Sequence, residues 1–283
     1  MNLDNLLNGC NFQKAADVVV CRDWPRSHSE QPFESIKNKI EYFDKAIIFC
    51  DSYYLPELFR EIKDHSNNYI LISHLRDISI NKNIFDAKPK CIKKWFAQNA
   101  DYEHEDLIPI PIGIENHAGA WKGTLIDLDF WSKYNLNDTY EKNKDICVNF
   151  SGAGSAFFSH HSRQDWLEHL TQEGFEISPR LSSVENLNNV KNHYLCASPR
   201  GNGIDCHRTW EALYFDCVPI VPKHLMYNHF ATSIIQVENE KLINKKLINY
   251  LIDEYKSNKL KFDKQILDIG YWINKIKIQQ SLL

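Results

Sequence analysis

Ser198-Pro199-Arg200-Gly201-Asn202-Gly203-Ile204-Asp205-Cys206-His207-Arg208-Thr209-Trp210-Glu211-Ala212-Leu213-Tyr214-Phe215-Asp216-Cys217-Val218-Pro219-Ile220-Val221 is a stretch in which the chain changes periodicity twice. The run before it, His193–Ala197, is short and apolar, of strand length. A loop with two glycines one residue apart follows. Cys206–Tyr214 then reads as a helix, with Trp210, Leu213 and Tyr214 as its packed face and His207, Arg208 and Glu211 on adjoining polar positions. Val218–Val221 is a second apolar run. Strand, loop, helix and strand in that order make a crossover unit, which pairs its strands in parallel.

The same alternation extends in both directions. Toward the amino terminus, strands are expected at Asp17–Val20, Ala46–Cys50, Tyr69–Ser73 and Leu107–Ile114, the last broken by Pro109 and Pro111 as at a sheet edge. Helices are expected at Phe33–Phe43, Leu55–Lys63 and Cys91–Gln98. Toward the carboxyl terminus, Ile146–Phe150 reads as a strand and Ser162–Thr171 as a helix. Ser162 and Asp165 stand at its start and Gly174 after its end. Lys241–Tyr255 and Phe262–Ile278 read as further helices. Residues 117–143 have weak periodicity and read as a connection. The expectation is an α/β chain of two halves with a cleft between them, its ligands at the carboxyl ends of strands.

Composition fits that reading. In 283 residues, 43% are hydrophobic and 25% charged, which excludes disordered and fibrous classes. A net charge of −4 argues against a non-specific nucleic-acid partner. Eight cysteines without a C-x-x-C pair read as buried reduced thiols rather than a zinc site. No run approaches the ~18 apolar residues of a membrane span. With no basic-then-apolar leader, a cytoplasmic location is expected.

The loop carries the chemistry. Glycines at 201 and 203 let the backbone approach a ligand and allow positive φ. The helix start beyond offers N–H groups and a positive dipole end. Arg200 has the fork geometry suited to phosphate oxygens. Glu211, one turn into that helix, suits the two hydroxyls of a ribose. Plainer alternatives are a simple turn with Arg200 paired to a carboxylate, and a local Arg208–Glu211 ion pair.

Residues 198–221 resemble the donor-binding motif of the exostosin-like glycosyltransferases, matching it in order at Arg208, Glu211, Ala212, Leu213, Cys217, Pro219, Ile220 and Val221. Weaker similarity extends to 94–99, 110–116 and 148–151. The resemblance implies the GT-B fold, two Rossmann-like domains facing across a cleft. The amino domain with its connection would span 1–143 and the donor domain 144–262, with a helix over 263–283 returning to the amino domain. It further implies an inverting, metal-independent transfer from a UDP-sugar (xylose, galactose or glucuronic acid favoured) to an oligosaccharide or glycan acceptor. A GDP-fucose enzyme and a non-catalytic nucleotide- or glycan-binding module are the alternatives.

Donor contacts are then expected from Glu211, Arg208, Arg200, Gly201, Asn202, Gly203, Asp205 and His207, joined by Arg163 and Ser151 from the loop after strand 146–150. The general base is expected from Ser73-His74-Leu75-Arg76-Asp77, as Asp77 or His74, with Asp51 a further candidate. Asp23, Trp24 and Arg76 are expected at the acceptor. No metal or other cofactor is expected. The pair His160-His161 diverges, and Asp127-Leu128-Asp129 lies in the connection.

Overall fold

The apolar runs assemble into two parallel sheets, each in its own compact unit. One unit takes Asp4–Ile126 and Asp268–Leu283, the other Met1–Leu3 and Asp127–Leu267. The computed structural model describes residues 3–21, 40, 42–115, 130–131, 133–134, 138–152, 163–260 and 262–283. The chain is mixed α/β with parallel sheets, consistent with a Rossmann-like fold.

In the amino unit, α1 (Gly9–Gln13) begins where the Asn8 side chain accepts the Asn11 N–H at 2.9 Å. Next come β1 (Val18–Val20), β2 (Lys45–Asp51), α2 (Leu55–Ile62) and β3 (Asn68–His74). Beyond them lie β4 (Ile80–Asn81), α3 (Lys82–Asp86), β5 (Ile92–Ala97), β6 (Ala100–Asp101) and β7 (Leu107–Pro109). The main sheet has the order β1-β2-β3-β5-β7, and β4 pairs with β6 apart from it. All its pairings are parallel, so every carboxyl end lies along one edge. Pro109 and its neighbours close the sheet at an outer strand, where a missing N–H costs no ladder bond.

The Cys91–Gln98 segment is a strand, not the expected helix. Ile92, Trp95 and Phe96 recur at helical spacing, but β5 lies between β3 and β7, and a register shift that skips Lys93 puts Ile92 and Trp95 on one face of the sheet, while Trp95, Phe96 and Ala97 are buried in succession. Trp95 packs edge-on to Phe59 of α2, and its indole N–H donates to Ser73 Oγ at 2.8 Å. Of the Phe33–Phe43 helix, most lies outside the described residues.

In the carboxyl unit, β8 (Lys144–Cys147) precedes α4 (Arg163–Gln172), α5 (Ser183–Lys191) and β9 (His193–Ala197). Then follow α6 (His207–Tyr214), β10 (Val218–Pro222), β11 (Ile235–Val237) and α7 (Lys245–Lys256). The sheet order is β11-β10-β9-β8, again all parallel. One face buries Ile146, Leu195, Val218 and Ile220 against Trp166 and Leu170 of α4 and Ile248 and Leu251 of α7. Cys147 and Cys196, register partners, point to the other face, where Asn189 of α5 reaches the Cys147 sulfur. All eight cysteines are free thiols, and six are buried.

Three local expectations change. The helix expected from Lys241 begins only at Lys245, because the Asn244 side chain accepts the Leu247 N–H and caps it there; Glu240–Leu242 is a separate 3-10 turn. Helix α5 has no counterpart in the sequence reading, although Ser182 and Glu185 form its capping box. The stretch read as a connection, 117–143, is packed where described. Trp131 stacks on Phe215 and Tyr134 meets Tyr214 edge-on, both within the carboxyl unit.

Lys142, also from that stretch, is buried, and burial lowers its pKa. Its ammonium donates to Lys191 O at 2.9 Å and to Phe215 O, the carbonyls where α5 and α6 end. A cation placed there satisfies orphan carbonyls and the negative dipole ends together. Both helices are thereby fixed at their carboxyl ends, leaving the start of α6 at the opposite edge of the sheet.

The chain ends in α8 (Ile269–Ser281), capped by Asp268, which belongs to the amino unit. It packs on β2 and β3 and contacts α1, burying Ile269, Trp272 and Ile276. Gly174 ends α4 with φ +75°, the conformation a helix-terminating glycine supplies.

Candidate functional site

The carboxyl edge of the second sheet gathers the loops after β8 and β9. Ser198 leaves β9 buried, its N–H donating to Ile220 O at 2.8 Å and its hydroxyl 2.8 Å from Thr209 Oγ1 of α6. The loop 199–206 is thus tied to strand and helix at both ends. Gly201 and Gly203 are buried within it, Asn202 is exposed, and Arg200 is half-buried.

The glycines do not serve as expected from their backbone freedom. Among the described glycines positive φ falls at Gly113 and Gly174, not at Gly201 or Gly203. At Gly201 the reason is proximity: a Cβ there would lie 3.1 Å from Arg163 Nη2. Arg163, the first residue of α4, lies across the loop and donates from Nε to Arg200 O at 2.9 Å. Two of the expected donor arginines therefore meet at one loop.

Arg208, in the first turn of α6, is held differently. Its Nε donates to Asn149 Oδ1 at 2.7 Å, and Nη2 lies 3.5 Å from Asn149 O. Its guanidinium carbon stands 5.4 Å from the Phe150 ring centroid, within cation–π range. Asn149 in turn donates from Nδ2 to Asn186 Oδ1 of α5 at 2.5 Å. Among the described residues no ion pair joins Arg208 to Glu211, so that one of the plainer alternatives does not apply. Glu211 lies one turn on along α6 and is half-buried, as is His207 at the helix start; Ser151, just past Phe150, is exposed.

Asp205, also expected among the donor contacts, is engaged within the unit. It is 2% exposed. Its Oδ2 accepts the Trp210 indole N–H at 2.7 Å, and its Oδ1 accepts the Cys206 N–H at 2.9 Å with the Tyr227 hydroxyl 3.3 Å away. It anchors the loop to the body of the unit rather than facing a ligand. Its carboxylate at the start of α6 also balances the helix dipole there.

The carboxyl edge of the first sheet holds the expected base candidates. His74 ends β3 and is buried, packed between Phe12 and Phe49. Its Nδ1 accepts the Leu75 N–H at 2.9 Å, so Nε2 carries the proton and donates to Pro111 O at 3.1 Å. Gly9 passes so close that a Cβ would lie 2.9 Å from His74 Nδ1. This is a ring fixed as a neutral packing element, and the base role expected of it is corrected accordingly.

Asp51 is equally engaged. Both its oxygens accept from Arg76, at 2.7–3.0 Å in a bidentate pair, and Oδ1 also accepts the Tyr53 N–H at 3.0 Å. Arg76, expected at the acceptor, is bound to Asp51, and that contact raises its pKa. Asp77 is exposed. Asp23, Trp24, Asn116, Asp127, Asp129, His160, His161 and Ser162 lie outside the described residues.

Two open hollows occupy the opposite edge of the carboxyl sheet. One of about 630 Å³ is lined by Asp138, Tyr140, Glu141 and Lys191, the other of about 300 Å³ by Phe130, Tyr134 and Phe215 among others. Lys191 already covers the Tyr140 ring at 4.6 Å. Neither hollow includes a residue of the glycine loop. Among the described residues no group of three His, Cys, Asp or Glu side chains is arranged to hold a metal ion. No helix there is long and apolar enough to cross a membrane.

Sequence reasoning did not single out Asn149, the partner of Arg208, or Asn186 behind it. The local signal for the first was its place directly after a strand; for the second, the capping box that starts α5 one turn earlier. Compared with protein-family models and with curated proteins, the sequence matches none. The site therefore rests on its own geometry.

Proposed function

We propose that this chain is a glycosyltransferase that moves a sugar from a nucleoside-diphosphate donor, with UDP favoured, to a glycan acceptor. The observation that carries the reading is Arg208: a half-buried guanidinium at the start of α6, held only by neutral groups among the described residues, one turn from the Glu211 carboxylate. A departing diphosphate gains negative charge as the glycosidic bond breaks, and fixed guanidinium groups stabilise that charge without rearranging. Arg163 and Arg200, joined through one hydrogen bond at the adjacent loop, add to the same positive edge. Glu211 would accept the ribose hydroxyls.

The resemblance over 198–221 extends the reading to a GT-B arrangement, with donor held in the carboxyl unit and metal-independent, inverting chemistry. Asp77 is the base candidate left at the expected position, since His74 and Asp51 are engaged elsewhere. That same engagement favours a second reading, a nucleotide-binding module without transfer activity. Xylose, galactose and glucuronic acid are the favoured sugars, and a GDP-fucose donor is the alternative.

A thermal-shift screen against nucleotides and nucleotide sugars tests the reading, because a bound ligand raises apparent stability. UDP or a UDP-sugar should raise Tm, and Glu211→Ala and Arg208→Ala should abolish the rise while remaining folded. Release of UDP in the presence of a glycan panel distinguishes transferase from module. The absence of any nucleotide-dependent shift would sink both.

A further inference from the structure

Resting on the donor reading above, we infer that Asn149 is a positioning residue whose neutrality keeps the Arg208 charge available to the donor's diphosphate. Three contacts define its role. Asn149 Oδ1 takes the Arg208 Nε proton at 2.7 Å, and its backbone carbonyl stands near Nη2. Its Nδ2 donates to Asn186 Oδ1 at 2.5 Å, so both ends of the amide are engaged, and the Arg208 Nε–H, which can only donate, fixes which end faces the arginine. Phe150, the next residue, offers its ring at 5.4 Å to the same guanidinium.

An amide and an aromatic ring orient a guanidinium without cancelling its charge. A carboxylate in the same place would satisfy the same Nε–H equally well in geometry and would neutralise the cation. The distinction matters only if the charge has a further partner. Arg208 sits at the carboxyl edge of a parallel sheet and at the start of a helix, the place where an anionic ligand is received in this kind of fold. Asn186 belongs to α5, whose capping box and Lys142 contact secure both ends, so the amide is held by a rigid element.

The test is calorimetric titration of the full chain with UDP and, separately, with inorganic pyrophosphate, for wild type, Arg208→Ala, Asn149→Asp and Asn186→Ala. Asn149→Asp keeps an acceptor for Nε, and Asn186 can turn its amide to donate to it. It should stay folded by thermal denaturation yet bind both probes about tenfold or more weakly, approaching Arg208→Ala. Asn186→Ala, which only loosens the amide, should weaken binding several-fold and settles the matter if the aspartate variant does not fold. If Arg208→Ala weakens binding while Asn149→Asp and Asn186→Ala both bind like wild type, the inference fails and the donor reading stands. If wild type binds neither probe, the donor reading fails and takes the inference with it.

Discussion

Arg76 and Arg208 occupy comparable places, each near the carboxyl edge of a parallel sheet, and differ in what holds them. Arg76 meets the carboxylate of Asp51 in a two-pronged pair, with Asp51 2% and Arg76 31% exposed. Arg208 meets the side-chain amide of Asn149. In the first case the protein supplies the counter-charge and the arginine serves the fold. In the second, among the described residues, it supplies none. One atom of difference in the partner, oxygen against nitrogen, separates a structural cation from one suited to a ligand.

The comparison breaks most sharply at Arg76. Arg76→Met would leave the Asp51 carboxylate buried without its cation, and should destabilise the amino unit by about 3–5 kcal/mol in urea denaturation. Nucleotide binding at 25 °C should survive if the folded fraction is kept high. A loss under 1 kcal/mol would show that the pair matters little. Asp51→Asn makes the amino-unit pair resemble the other one. It keeps an acceptor for Arg76 Nε and removes the charge, so the expected loss is smaller, about 1–3 kcal/mol. Equal losses for both variants would mean that geometry, not charge, sets the value of the pair.

Gly201→Ala probes the carboxyl unit more gently. The added Cβ meets the end of the Arg163 side chain at 3.1 Å, which can yield by a few tenths of an ångström. Stability should change by less than about 1 kcal/mol, since the only contact met is the far end of a flexible side chain and φ is not positive. Nucleotide affinity should fall several-fold as Arg163 shifts from the loop. Gly113 is the contrasting glycine: at φ +74°, with a Cβ position 2.2 Å from Leu7 O, it has no such latitude.

Much of the α/β alternation was legible because short apolar runs and amphipathic runs differ in period. The runs at 46–50, 69–73, 193–197 and 218–221 all fall within strands, and 55–63 closely matches α2. Strand β5 departs from the helix expected there because a register shift at Lys93 breaks the two-residue alternation, so that Ile92, Trp95 and Phe96 mimic helical spacing. At the site, the glycine loop and Arg208 stood out by composition. Their partners did not, because Asn149 lies 59 positions from Arg208 and Asn186 another 37 from Asn149.

By itself the sequence determined the repeated crossover pattern and placed an arginine and a carboxylate one turn apart after a glycine loop, since both are matters of local period and spacing. Only the tertiary structure decided which charges remain. It bound Asp51 to Arg76, turned Asp205 into the body of its unit, locked His74 as a neutral ring, and gave Arg208 an amide. The Asp51–Arg76, His74–Pro111 and Arg208–Asn149 contacts join segments distant in the chain, whereas Asp205 is turned inward chiefly by its neighbours Cys206 and Trp210. Burial makes a charge's partner decisive, and no local pattern records which partner it will meet.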